Sequence, residues 1–350
     1  MLIALAGCGK SNGVAGPLLG STVRAYVANT GDRTLSSFRI DSKSLNPVQL
    51  GDVALPDPPT SLAIDRQGRF LFAGSASSGS IMTIAIDAES GALTYRSKLA
   101  IGSGFRKMIA HPSLNALYAL DQANVGNVKF LTYSDTTGVP AFQSQVTAGT
   151  FPRAAALSPS GRSLLVAGYT SNTLVPVSLN ASTGAPTAGT SVATGVFPES
   201  VVISRDGAWV FVGNDADPAS SSIRSYPYIE SSTTLGAPVT HAVPGSPIAL
   251  AIHPFLDMLL VGSFTTGVVN GYAYGASDGV LAFTSAQTPG DQATAMQISS
   301  DGNYAMVVNA GSTNSFSVLK LDGTTLGSFD SWSVGSAPAD LATFRRRGSR

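Results

Sequence analysis

Short apolar runs recur along the chain at a nearly constant interval, each bounded by turn residues. One copy opens as Pro59-Thr-Ser-Leu-Ala-Ile-Asp65. Three more open as Pro152-Arg-Ala-Ala-Ala-Leu-Ser158, Pro198-Glu-Ser-Val-Val-Ile-Ser204 and Pro247-Ile-Ala-Leu-Ala-Ile-His253. Phe105, Ala293 and Pro338 hold the same place in weaker copies, so successive anchors are 46, 47, 46, 49, 46 and 45 residues apart. A second run follows each anchor, as in Phe70–Gly74, Leu164–Gly168, Trp209–Asn214, Leu259–Gly262 and Ala305–Asn309. Runs this short, bounded by turn residues, predict buried strands rather than helices. A third strand alternates, and a turn with a repeated glycine follows it: Glu89-Ser-Gly91, Thr136-Thr-Gly138, Ser182-Thr-Gly184 and Ser277-Asp-Gly279. That glycine predicts a positive φ in a tight hairpin. A fixed period of several strands is the mark of radial repetition. Seven anchors predict an all-β, seven-bladed β-propeller with four strands per blade.

The two ends complete each other. The copy at Pro338-Ala-Asp-Leu-Ala-Thr-Phe344 stops after one strand, and Arg24-Ala-Tyr-Val-Ala-Asn29 begins at a second strand. Pairing of the terminal strands should therefore close the ring and leave no exposed edge. The expected layout is a partial lipoprotein signal at 1–8, a flexible Gly/Ser-rich tether at 9–22, the propeller at 23–344 and a basic tail at 345–350. The Leu5-Ala6-Gly7-Cys8 tetrad matches a lipobox and makes Cys8 the candidate lipidation site. The apolar stretch before it is short and lacks a basic leader, as a start codon assigned too far downstream would produce. An exported bacterial lipoprotein, facing the periplasm or the cell surface, is the expectation.

Composition narrows the function. Charged residues are 12% of the chain, about half the usual share, and the formal net charge is zero. No global field draws the chain to nucleic acid or to anionic membrane, so membrane contact is expected only through the lipid. The three histidines are scattered and a single cysteine is present, which leaves no transition-metal spacing and no cofactor to expect. His111 and His253 share one repeat position, which other copies fill with Asp65, Ser158, Ser204 and Ser299. A polar residue there should cap a turn. Gly275-Ala-Ser277-Asp-Gly279 fits a GxSxG pattern, but it is the repeat's own hairpin turn rather than a strand-to-helix elbow.

The repeat resembles the seven-bladed lactonase-like propellers, the family of 6-phosphogluconolactonase and of a muconate-lactonising enzyme, and the related YVTN-type repeats. The resemblance rests on Pro152-Arg153, on the turns Ser158–Arg162 and Ser204–Gly207, and on strands ending in Asn29 and Asn214; it covers about residues 22 to 344. It implies hydrolysis of an anionic lactone near the central channel. It also implies a Pro-Arg-His triplet on an inner strand. Here Ala154 follows Arg153, and the third positions are Ser61, Lys107, Ala154, Ser200, Ala249, Ala295 and Asp340.

The residue after each anchor should face one rim of the channel. These residues are Thr60, Arg106, Arg153, Glu199, Ile248, Thr294 and Ala339, so three consecutive blades bring Arg, Arg and Glu together. Two guanidiniums can clamp a carboxylate or phosphate, and a carboxylate can activate water. Arg106, Arg153 and Glu199 are therefore the candidate catalytic residues, with Lys107, Asp121, Asn214, Asp215 and Asn309 as candidate substrate contacts. Two functions stand at this point. One is a lactonase acting on a small anionic lactone. The other is a non-catalytic module that recognises a protein or glycan at the same rim, where the charges could equally form an ion-pair belt between blades. A monomer is expected in either case.

Overall fold

A computed structural model describes residues 22–346, apart from 42–45, 103, 123–124 and 217–220. The lipobox with Cys8, the tether up to residue 21 and the last four residues of the tail lie outside the described residues.

Seven antiparallel sheets stand around a central axis, each a meander from an inner strand outward. Blade 2 is typical: Ser61–Ile64, Phe70–Ser75, Ser80–Ile86 and Leu93–Ala100, in that order. Blades 3 to 7 begin at Phe105, Pro152, Pro198, Pro247 and Ala293, at the anchors read from the repeat. In blades 4 and 5 the outer strand is broken into two short pieces. The second strands Ala116–Asp121, Ser163–Gly168, Trp209–Asn214, Met258–Ser263 and Tyr304–Asn309 are buried at every position. Each lies between neighbouring blades, so both of its faces are covered; this is why these strands read as continuous apolar runs. The outer strands are mostly exposed or half-buried, because they form the outer edge of each blade.

The core is not central. It consists of seven apolar wedges, each shared by two adjacent blades. The wedge between blades 3 and 4, for example, joins Tyr118, Val128 and Phe130 to Leu164, Val166 and Val175. The hairpin glycines serve these wedges as well. Gly91, Gly138, Gly184 and Gly279 all have positive φ. A Cβ on Gly138 would lie 2.6 Å from the Phe70 ring, and one on Gly279 2.4 Å from Trp209. Turn chemistry and blade packing thus demand the same residue.

Blade 1 is built from both ends of the chain. The strands Thr22–Asn29, Thr34–Asp41 and Pro47–Ala54 are completed on the inside by Pro338–Arg346. Val27 faces Leu341, Ala25 faces Thr343 and Val23 faces Arg345. The ring is therefore closed by the two terminal strands, and the closing strand runs on through the first two arginines of the basic C-terminal segment. The turn before each second strand is capped as its polar position suggests. Ser158, Ser204 and Ser299 each accept a backbone N–H with Oγ, from Ser163, Trp209 and Tyr304. Asp65 accepts two, from Arg69 and Phe70. Gly275–Gly279 is a closed hairpin turn, with Gly275 N donating to Val280 O at 2.9 Å.

Candidate functional site

In six of the seven blades the residue after the anchor reaches the channel mouth because the inner strand bulges there. Pro152 pairs with Gly168 and Ala154 with Ala167, so Arg153 has no partner in the ladder. The same one-residue shift isolates Arg106, Glu199, Ile248, Thr294 and Ala339. A bulge leaves its extra residue unpaired and re-aims its side chain. In four blades the residue just before the anchor is left-handed: Phe151 (φ 46°), Phe197 (φ 52°), Gln292 (φ 55°) and Ala337 (φ 49°). Non-glycine residues take this conformation only where surrounding structure enforces it. Here a backbone bond helps to do so: Asp215 N donates to Phe197 O at 3.0 Å, and Ala310 N to Gln292 O at 3.0 Å.

The bulges surround a cavity of about 410 Å³ at the mouth and upper part of the channel. Its wall contains Arg106, Lys107, Arg153 and Glu199 on blades 3 to 5. Arg153 forms an ion pair with Glu199, and its guanidinium carbon lies 3.9 Å from the centre of the Tyr169 ring. Tyr169 in turn stacks on Phe197, with ring centres 4.8 Å apart. Arg153 is thus held flat between a carboxylate and an aromatic face, which fixes its position better than either contact alone. The Glu199 side chain is only 9% exposed. Burial pushes its carboxyl above the ordinary value of 4.5, and the Asp215 charge adds to the rise. Arg153 and Arg106 oppose the shift without cancelling it. Arg106 itself is exposed at the rim.

Lys107 makes a different set of contacts. Its Nζ donates to both oxygens of Asp340, at 3.0 and 3.1 Å, across the inner strand of blade 2. Asp340 also accepts from Ser61 Oγ, Leu62 N and Leu341 N. The pair therefore fastens the closing strand from inside the channel. The remaining candidate contacts stand away from the cavity wall. Asp121 is buried and pairs with Lys129 at 3.1 Å. Asn309 donates through Nδ2 to Ser315 and Ser317, and Asn214 to the carbonyls of Val212 and Ser222. Both asparagines pack on a rim glycine; a Cβ on Gly195 or Gly290 would come within 2.6 or 2.7 Å of their Cγ atoms. Asp215 contributes through its field at Glu199 rather than as a wall residue.

The aromatic residues Tyr169 and Phe264 were not singled out by the sequence. They hold one repeat position, directly after the second strand, where Thr30, Asp215 and Ala310 stand in other blades. Aligning the copies one residue beyond the asparagines would have found them.

Residues 20–106 match the family described as "Lactonase, 7-bladed beta-propeller". No curated protein matches the chain in sequence. Among solved structures, a candidate 6-phosphogluconolactonase from Bacteroides uniformis superposes with a TM-score of 0.80 at 15% identity, covering 93% of this chain and 99% of that one. The periplasmic gluconolactonase of Pseudomonas aeruginosa gives a TM-score of 0.76 at 17% identity, covering 92% and 99%. A functionally unknown protein from Desulfotomaculum acetoxidans gives 0.70 at 16% identity, covering 93% and 98%. At such identities the superpositions speak for the fold alone. The ring is complete over the chain's length, so the chain is a seven-bladed β-propeller, and its N-terminal quarter matches the lactonase propeller family.

Proposed function

We infer that the chain hydrolyses an anionic lactone at the mouth formed by Arg106, Arg153 and Glu199. The observation that carries this reading is a buried carboxylate with a raised pKa, set beside two guanidiniums in the wall of a cavity large enough for a small cyclic ester. Arg106 binds the substrate's anionic group at the rim. Glu199 takes a proton from water as the water oxygen attacks the lactone carbonyl. Arg153, oriented by Tyr169, stabilises the oxyanion. The ring C–O bond then breaks, and Glu199 returns the proton to the departing alkoxide. The product is an open hydroxy acid, and its new carboxyl group ionises at neutral pH.

A pH-indicator assay over phosphorylated, carboxylated and uncharged lactones tests this. Glu199→Gln should lower kcat by about 10²-fold or more. Arg153→Ala should cost a similar factor. Arg106→Ala should act mainly through KM. Turnover no faster than spontaneous hydrolysis on every lactone would overturn the reading and leave the mouth as a recognition surface.

A further inference from the structure

The cavity is chemically two-sided. Apart from Asp340 on blade 1, which Lys107 neutralises, the charged wall residues occupy blades 3, 4 and 5. In a seven-membered ring these blades face blades 6, 7, 1 and 2, and blade 2 puts Thr60 on the wall, its Oγ1 donating to Gly74 O and accepting from Ala76 N. That opposite arc carries Ile248, Phe264, Met296, Ala310, Ala337 and Ala339. Phe264 is 36% exposed at the rim, although a large aromatic side chain gains by burial.

The few polar side chains on and beside this arc are already engaged. Thr294 Oγ1 donates to the carbonyls of Val308 and Pro338 in a shared bond, at 3.2 and 3.0 Å. Thr30 Oγ1 donates to Pro59 O at 2.6 Å. Gln297 donates through Nε2 to Leu341 O at 2.9 Å and accepts at Oε1 from Thr343 Oγ1 at 2.7 Å. Asp340 is saturated by Lys107, Ser61 and two backbone N–H groups. A polyhydroxylated ring would meet no free hydroxyl donor on this half of the wall, only the remaining lone pairs of engaged hydroxyls such as those of Thr30 and Thr294. An alkyl or aryl group would lose nothing there and would cover Phe264 and Ile248.

We propose that the ligand of this mouth is an amphipathic anion: a carboxylated lactone that carries an alkyl or aryl substituent, the anion against Arg106 and Arg153 and the apolar group against Ile248 and Phe264. The inference takes its ring chemistry from the lactonase reading, but the two-sided wall stands independently of catalysis.

The test uses probes that cannot be hydrolysed. Calorimetry compares 5-hexyltetrahydrofuran-2-carboxylate with 5-(hydroxymethyl)tetrahydrofuran-2-carboxylate and with 6-phosphogluconate. The hexyl compound should bind about tenfold or more tighter than either of the others. Phe264→Ala should weaken the hexyl compound about fivefold and leave the hydroxymethyl compound within about twofold. Phe264 is partly exposed, so its removal should not disturb folding. Equal or tighter binding of 6-phosphogluconate, binding of none of the three, or equal losses for both furan carboxylates in Phe264→Ala would overturn the proposal. A hexyl preference without turnover of any lactone would sink the hydrolase alone.

Discussion

Glu199 and the two buried histidines show how one carboxylate and two imidazoles are tuned by what touches them. Glu199 is a stronger base than a free carboxylate because burial disfavours its charge. If it is the base, kcat/KM should rise with pH through a midpoint above 4.5, the ordinary value. A pH–rate profile that stays flat through that region would remove Glu199 from the reaction. His111 and His253 serve the fold instead. Each accepts two backbone N–H groups at Nδ1, from Leu114 and Ser113 and from Leu256 and Phe255. Each reaches across to the next blade, with Nε2 on Gly161 O at 2.9 Å and on Gly302 O at 3.0 Å. That arrangement requires the neutral ring with its proton on Nε2. Burial lowers both pKa values below 6.5. The unfolded chain takes up these protons first as pH falls. Their contribution is therefore complete above pH 6.5 and drains away below it, towards the depressed native values. Thermal unfolding in His111→Ala should show a loss of about 1–3 kcal/mol at pH 7.5. The loss should shrink as pH falls below 6.5; a constant loss would mean that protonation is not involved.

Individual strands set the geometry that these residues use. The repeat period and the apolar second strands were legible in sequence because burial on both faces forces continuous apolar runs. The bulges were not. A bulge is a shift of pairing, and neither the anchor proline nor the residue after it has a composition that announces one. The sequence therefore placed Arg106, Arg153 and Glu199 at one level of the ring without showing how they leave the ladder. It also placed the strand-ending asparagines beside them, whereas Asn214 and Asn309 turn their amides back into their own blades. Lys107 was read as a substrate contact and Asp340 only as a third position; their meeting across blade 2 depends on the ring's curvature. The inner strand that closes the ring depends on the network around Asp340. Asp340→Ala strips acceptors from Lys107, Ser61, Leu62 and Leu341 at once and should cost about 3 kcal/mol in denaturant unfolding. Lys107→Met should cost clearly less, since Lys107 is 35% exposed. Equal losses would mean that the charge pair, rather than Asp340's network, holds the strand.

For the whole molecule, function and stability occupy different places. Stability lies in the seven wedges between blades and in the terminal strands that join the first blade to itself. Of the cavity wall, Lys107 and Asp340 serve the closure, and the other residues at the mouth add little to either. Fold and ring closure could therefore be read from a chain whose charge is sparse, while the occupant of the cavity could not, because the apolar half of its wall comes from residues with no chemical signature of their own. Ile248, Ala339 and Phe264 become informative only once the ring sets them opposite the arginines.

The row of bulged residues has a consequence for how such a protein changes. Thr60 and Thr294 aside, each of these side chains is outside the ladder and outside the wedges, so its identity is nearly free of the sheet that carries it. The ring offers a set of interchangeable slots around one opening, filled by single codons. Exchanging Ile248 for Arg, or Ala339 for Glu, should move the unfolding free energy by no more than about 0.5 kcal/mol while rewriting which ligands are retained. New specificities can arise on this scaffold one substitution at a time, with no passage through an unfolded intermediate sequence.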